Sequence, residues 1–115
     1  PRSREWESRY RLAEAQILYQ ALLSTPYRAA AEAGIGHIAA DKGQWAAATS
    51  AYQRAVDADP VHVPYRNDLG YALLKMGSLD RAIFTLRQAS ELAPGNLLIR
   101  NNLNLALASA GTKGK

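Results

Sequence analysis

The chain has 115 residues, of which 48% are hydrophobic, with no cysteine and a formal net charge of +4. That length holds one domain with a real core, and no apolar run approaches the ~18 residues of a membrane span. The lack of cysteine excludes a disulfide, a thiolate zinc site and a cysteine nucleophile.

The sequence opens Pro1-Arg2-Ser3 without an initiator methionine, which reads as a processed or trimmed form whose targeting segment lies elsewhere. Arg2, Arg4, Arg9 and Arg11 crowd the first eleven residues against Glu5 and Glu7 alone. Such a terminus is ordinarily solvated, and its rival use is contact with anionic lipid or an acidic partner. A helix is predicted near 4–23, closed by Pro26. Its Leu18 and Ala21 stand in register with Tyr52 and Ala55 further on, whereas Arg11 and Glu14 take the places of Trp45 and Ala48. Residues 1–26 therefore read as a modified second helix of a repeat, or a cap.

Residues 27–60 form a first complete unit. A helix near 27–41 presents Ile35, Gly36, Ile38 and Ala39, and Gly43 allows the turn. A second helix follows from Trp45 to Ala58, with Trp45, Ala48, Tyr52, Ala55 and Val56 on one stripe. Pro60 closes the unit. Residues 61–94 repeat the plan: a helix near 62–76 with Leu69, Gly70 and Leu73, a turn at Gly77, and a helix near 79–92. The second stripe is Leu79, Ala82, Ile83, Leu86 and Ala89, closed by Pro94. Residues 95–115 supply one further helix near 97–110, with Leu103, Leu107 and Gly111, and reach Lys115 before a partner helix.

The spacing is regular. Pro26, Pro60 and Pro94 lie 34 residues apart, as do Gly43, Gly77 and Gly111, Gly36 and Gly70, Ala48 and Ala82, and Ala21, Ala55 and Ala89. A step of this length with small residues and a closing proline marks stacked helix–turn–helix units. Six helices follow. Gly36 and Gly70 are expected where the two helices of a unit approach, with Tyr52 and Leu86 filling the space.

The pattern resembles the tetratricopeptide repeat family. It reads Glu32-x2-Ile35-Gly36-x2-Ala39, Ala48-x3-Tyr52-x2-Ala55 and Pro60, then Arg66-x2-Leu69-Gly70-x2-Leu73, Ala82-x3-Leu86-x2-Ala89 and Pro94. The first aromatic of each unit is replaced, by Glu32, Arg66 and Arg100. The resemblance implies an all-α, right-handed superhelix of antiparallel helix pairs and a non-catalytic scaffold that binds other proteins. A narrower resemblance is to TadD-type assembly factors of bacterial Tad (Flp) pili. It rests on Asn67-Asp-Leu-Gly-Tyr-Ala-Leu, Leu86-Arg-Gln-Ala, and the tail Arg100-Asn-Asn-Leu-Asn-Leu-Ala-Leu-Ala-Ser-Ala-Gly. It implies a periplasmic scaffold tied to the outer membrane by a lipid-bearing cysteine that this sequence lacks. The cytoplasm is the expectation otherwise.

In the family, ligands lie along the concave face made by the first helix of each unit. The matching positions here include His37 and Asp41, then Asn67, Asp68, Tyr71 and Lys75, and finally Leu98, Asn101, Asn102 and Leu105. Tyr71 is a stiff amphipathic anchor, and the asparagines can bond peptide backbone in both directions. An extended or helical segment with an apolar stripe is the expected partner. Some members clamp a C-terminal carboxylate with lysine and arginine. The matching sites, Ala33, His37, Asp68, Leu98 and Asn102, hold neither, so no such clamp is expected.

The leucines of the last helix spread around its circumference, whereas a capping helix usually has a polar outer face. Leu103 and Leu107 are expected at an apolar interface, covered by further protein, a partner, or a second copy as a homodimer. No enzyme site, small-molecule substrate, cofactor or metal is expected. His37 and His62 are 25 residues apart without a third ligand, and Gly34-Ile35-Gly36 lacks the third glycine of a dinucleotide loop. Nucleic acid is not expected, because Arg28, Arg54, Arg66, Arg81, Arg87 and Arg100 alternate with acids. The alternative reading is a basic module attached to nucleic acid or anionic membrane by its N-terminal arginines.

Overall fold

The computed structural model describes the backbone of residues 2–113 and the side chains of residues 8–111. Arg2 and Arg4 therefore lie outside the described side chains. Six helices follow in order: α1 (Arg2–Leu22), α2 (Arg28–Asp41), α3 (Trp45–Ala58), α4 (Val63–Met76), α5 (Leu79–Leu92) and α6 (Leu97–Lys113). Each packs on its neighbours in sequence, and α4 also touches α6. That is a stack of hairpins, with α2, α4 and α6 on one side.

Punctuation residues set the helix ends. Gly43 and Gly77 adopt φ of +73° and +82°, a left-handed conformation that only glycine takes without strain. At both, the residue after the glycine donates its N–H back to a carbonyl five residues earlier, Gln44 to Ala39 at 2.9 Å and Ser78 to Leu73 at 3.0 Å. The glycines donate to Ala40 and Leu74. Each is a Schellman closure. At the other end of each hairpin, Pro60 and Pro94 push the residue before them out of helical space. Asp59 sits at φ −144° and Ala93 at φ −139°. Asn96 starts α6, its Oδ1 accepting from the Ile99 N–H at 3.1 Å.

Gly111 departs from its register. It lies inside α6, and the positive-φ glycines of the described chain are Gly43 and Gly77. The turn is favoured where a second helix docks back on the core, and none does so after α6 among the described residues.

The core is built on alanine and two larger fillers. Ala48, Ala55, Ala82 and Ala89 are fully buried, Leu86 likewise, and Tyr52 is 4% exposed. A Cβ on Gly36 would lie 2.5 Å from Tyr52 Cε1, and one on Gly70 would lie 2.5 Å from Leu86 Cγ. Only glycine leaves room for these side chains between the helices of a unit. Gly34 does the same one interface earlier, where the ring of Tyr19 lies over it. Helix packing thus accounts for the Gly34-Ile35-Gly36 run.

The family's missing first aromatic is replaced by a polar interlock. Glu32, 3% exposed, accepts from Arg54 Nε at 2.8 Å. One repeat later Arg66 donates to Gln88 Oε1 at 3.0 Å and to the Pro60 carbonyl at 3.0 Å. Each pair ties the start of the first helix to the second helix of its own unit.

The register between α1 and α3 does not carry through to burial. Leu18 is 58% exposed and Ala21 is exposed, whereas Tyr52 and Ala55 are buried. Tyr52 packs over Gly36 in the first helix of its unit, and no helix precedes α1 among the described residues. Tyr19, one position on, makes the contact with α2 instead.

Candidate functional site

The sides of α2, α4 and α6 that face away from α3 and α5 enclose a groove of about 520 Å³. Its lining is His37, Ala40 and Asp41 from α2, Trp45 and Tyr52 from α3, Asn67, Asp68 and Tyr71 from α4, and Leu98 and Asn102 from α6. The 34-residue step explains the convergence, since it brings the same helical face to the same side in each unit.

Aromatic rings form the wall near the α2–α3 turn. Trp45 meets Tyr71 edge-on with centroids 5.8 Å apart, and Lys75 places its ammonium 5.7 Å from the Trp45 ring and 6.0 Å from the Tyr71 ring. Tyr52 reaches the groove from below. Its ring lies edge-on to His37 at 5.4 Å, and burial, helped by the charges of Asp68 and Asp41, pushes its hydroxyl pKa up.

A hydrogen-bonded line crosses the floor. His37 Nε2 and Asp68 Oδ2 are 3.1 Å apart and join α2 to α4. Burial raises the Asp68 carboxyl above the usual carboxylate range, and the hydrogen bond and charge of His37 offset only part of that rise. Asn102 donates its Nδ2 to Asn67 Oδ1 at 3.0 Å, joining α6 to α4. Asn67 is buried, so its amide mainly sets the spacing of the two helices, while half-buried Asn102 keeps polar capacity toward the groove.

The residues read from sequence therefore divide. His37, Asp41, Asn67, Asp68, Tyr71, Leu98 and Asn102 line one groove, and Lys75 sits on its aromatic rim. Asn101 and Leu105 are exposed but lie outside that lining. On the far side of α6, Leu103 is half-buried against the core, leaving Leu107, 38% exposed, as the accessible member of that pair. The stripe on α3 places Trp45 and Tyr52 toward the core, yet both also line the groove. The available signal for Trp45 was its place at the first position of α3, where an alanine-rich interface cannot enclose an indole. Among the described residues no group of three His, Asp or Glu side chains could hold a metal, and no helix is long and apolar enough to cross a membrane.

Stacked helical hairpins with a mixed aromatic and polar groove on one side define a helical-repeat protein. Residues 39–101, more than half of the chain, match the tetratricopeptide repeat family, and the chain belongs to that family. It is similar to TPR repeat-containing protein PA4299 of Pseudomonas aeruginosa, with 39% identity over 89 residues. That match covers 77% of this chain and 36% of the relative, so the chain spans about a third of that relative's length. Among solved structures, the first TPR domain of human RPAP3, determined by NMR, superposes with a TM-score of 0.81 at 18% identity. It covers 98% of this chain and 90% of that one. The first TPR of Spaghetti (RPAP3), bound to the HSP90 peptide SRMEEVD, gives 0.80 at 18% identity, over 96% and 88%. At that identity the likeness establishes the fold.

Proposed function

We propose that this chain is a non-catalytic scaffold that binds a partner's peptide or helical segment in the groove of α2, α4 and α6. The observation that carries this reading is the half-buried Tyr71–Trp45 wall facing the polar floor of Asp68, His37 and Asn102. An apolar body with fixed polar groups along it is what a docking segment needs for both area and orientation. The structural neighbour bound to an HSP90 peptide supports peptide capture as a use of this fold.

Selection of a phage-displayed random dodecapeptide library on the immobilised protein tests this. Selected peptides should bind the parent protein and lose at least tenfold affinity on Tyr71→Ala, with the helical circular dichroism spectrum unchanged. Peptides whose binding ignores Tyr71→Ala and Leu98→Ala would overturn the groove assignment. Binding that instead falls steeply with salt and is lost in Arg9→Ala/Arg11→Ala would assign the contact to the N-terminal arginines.

Within this reading, the Asn67–Leu73 stretch, Leu86–Ala89 and the Arg100–Gly111 tail support a scaffold in Tad (Flp) pilus assembly. In a bacterium carrying the gene, deletion should remove Flp pili. The parent gene, but not one encoding Tyr71→Ala, should restore them. Normal pili in the deletion strain would refute the assignment.

A further inference from the structure

The sign of charge in the groove is opposite to that of the chain. The protein carries a formal +4, yet the lining of the groove holds two acidic side chains, Asp41 and Asp68, and neither lysine nor arginine. Among the described residues neither forms an ion pair with lysine or arginine. Asp68 has only His37, and Lys75 lies over the rings of Trp45 and Tyr71. Asp41 is also the last residue of α2, whose final turn holds no basic side chain. A carboxylate at the negative end of a helix dipole is unfavourably placed. The two carboxylates thus lie in a groove walled by the Tyr71 and Trp45 rings.

From this we infer that the groove is specific for a segment presenting an arginine or lysine side chain, its cationic head between Asp41 and Asp68 and its stem against Tyr71 and Trp45. The inference rests on the groove being the binding site. Cation–π attraction and a carboxylate act together on such a head group, and its aliphatic stem covers the apolar wall. Lys75 shows that a cation is already accommodated beside these rings, where it competes with an incoming head group. An acidic tail would meet two carboxylates, with Lys75 and His37 in return.

The peptides selected above provide the test. The best groove-dependent peptide should contain arginine or lysine. When it is resynthesised with acetylated and amidated ends, replacing that arginine by citrulline, or that lysine by norleucine, should weaken binding about tenfold by calorimetry. Asp41→Asn/Asp68→Asn should weaken the parent peptide to the same degree and leave the neutral version unchanged. Lys75→Gln should tighten the basic peptide by two- to threefold. Groove-dependent peptides that are acidic or uncharged, or a Lys75→Gln variant that binds more weakly, would overturn the charge preference and leave the groove standing. If no selected peptide depends on Tyr71 or Leu98, the groove reading fails and this inference falls with it.

Discussion

The middle of the stack and its two ends use the same register with opposite results. Leu73 in α4 is fully buried, while Leu107, one repeat later in α6, is 38% exposed. Tyr52 in α3 is 4% exposed, while Leu18, one repeat earlier in α1, is 58% exposed. The side chains are as apolar at the ends as in the middle. What differs is whether a helix lies opposite, so burial in a repeat array is conferred by the neighbour.

The largest contrast should come from matched truncations. Leu73→Ala removes a fully enclosed side chain and should cost about 3 kcal/mol in urea unfolding, within the usual range for a buried leucine. Leu107→Ala should cost under ~1 kcal/mol. Equal losses would mean that Leu107 is covered in solution, and sedimentation of the parent protein would then show whether a second copy covers it.

Next in size is the interlock. Arg54→Ala leaves the buried Glu32 carboxylate without its 2.8 Å donor and should cost about 2 kcal/mol. Gln88→Ala, which removes a neutral acceptor from Arg66, should cost about 1 kcal/mol. A loss at Gln88 as large as that at Arg54 would show that the charge on Glu32 is not what distinguishes the two units.

A glycine comparison is smaller. Gly70→Ala places a methyl against Leu86 Cγ and should cost about 1 kcal/mol net, since overpacking outweighs the gain in helix propensity. Gly111→Ala meets nothing within 4 Å and should stabilise by a few tenths of a kcal/mol, if at all.

The smallest effect concerns Asp68. Its carboxyl is raised by burial in the folded chain, so the folded state holds this proton more tightly than the unfolded state does. Stability from this group is present at low pH and is lost as pH rises from the ordinary carboxylate range through the raised value. Asp68→Asn should therefore raise the Tm relative to the parent at pH 7 and not at pH 3. A variant that is less stable at both would mean that the His37 hydrogen bond outweighs the desolvation.

The repeats were legible because their punctuation is chemically specific. Gly43 and Gly77 need left-handed backbone, Pro60 and Pro94 forbid helix, and Gly36 and Gly70 each admit one large side chain. Those are local constraints, visible in one chain. The register of Leu18 and Gly111 did not carry over to burial or to a turn, because both depend on a facing helix that the local pattern cannot supply. The groove was partly legible for a related reason. The family resemblance assigns His37, Asp68 and Tyr71 to one face, but a stripe does not show that Trp45 and Tyr52 reach past the core into it. The Glu32–Arg54 pair was hidden because its members are 22 residues apart on different helices.

The two interlocks also make the hairpins non-interchangeable. A chain built from units of one shared plan risks pairing a helix with the wrong partner while it folds. Exchanging the second helices here would set Arg66 against Arg54 and leave buried Glu32 facing the amide of Gln88. The opposite charges of Glu32 and Arg66 at one shared position thus match each first helix to the second helix that follows it in sequence.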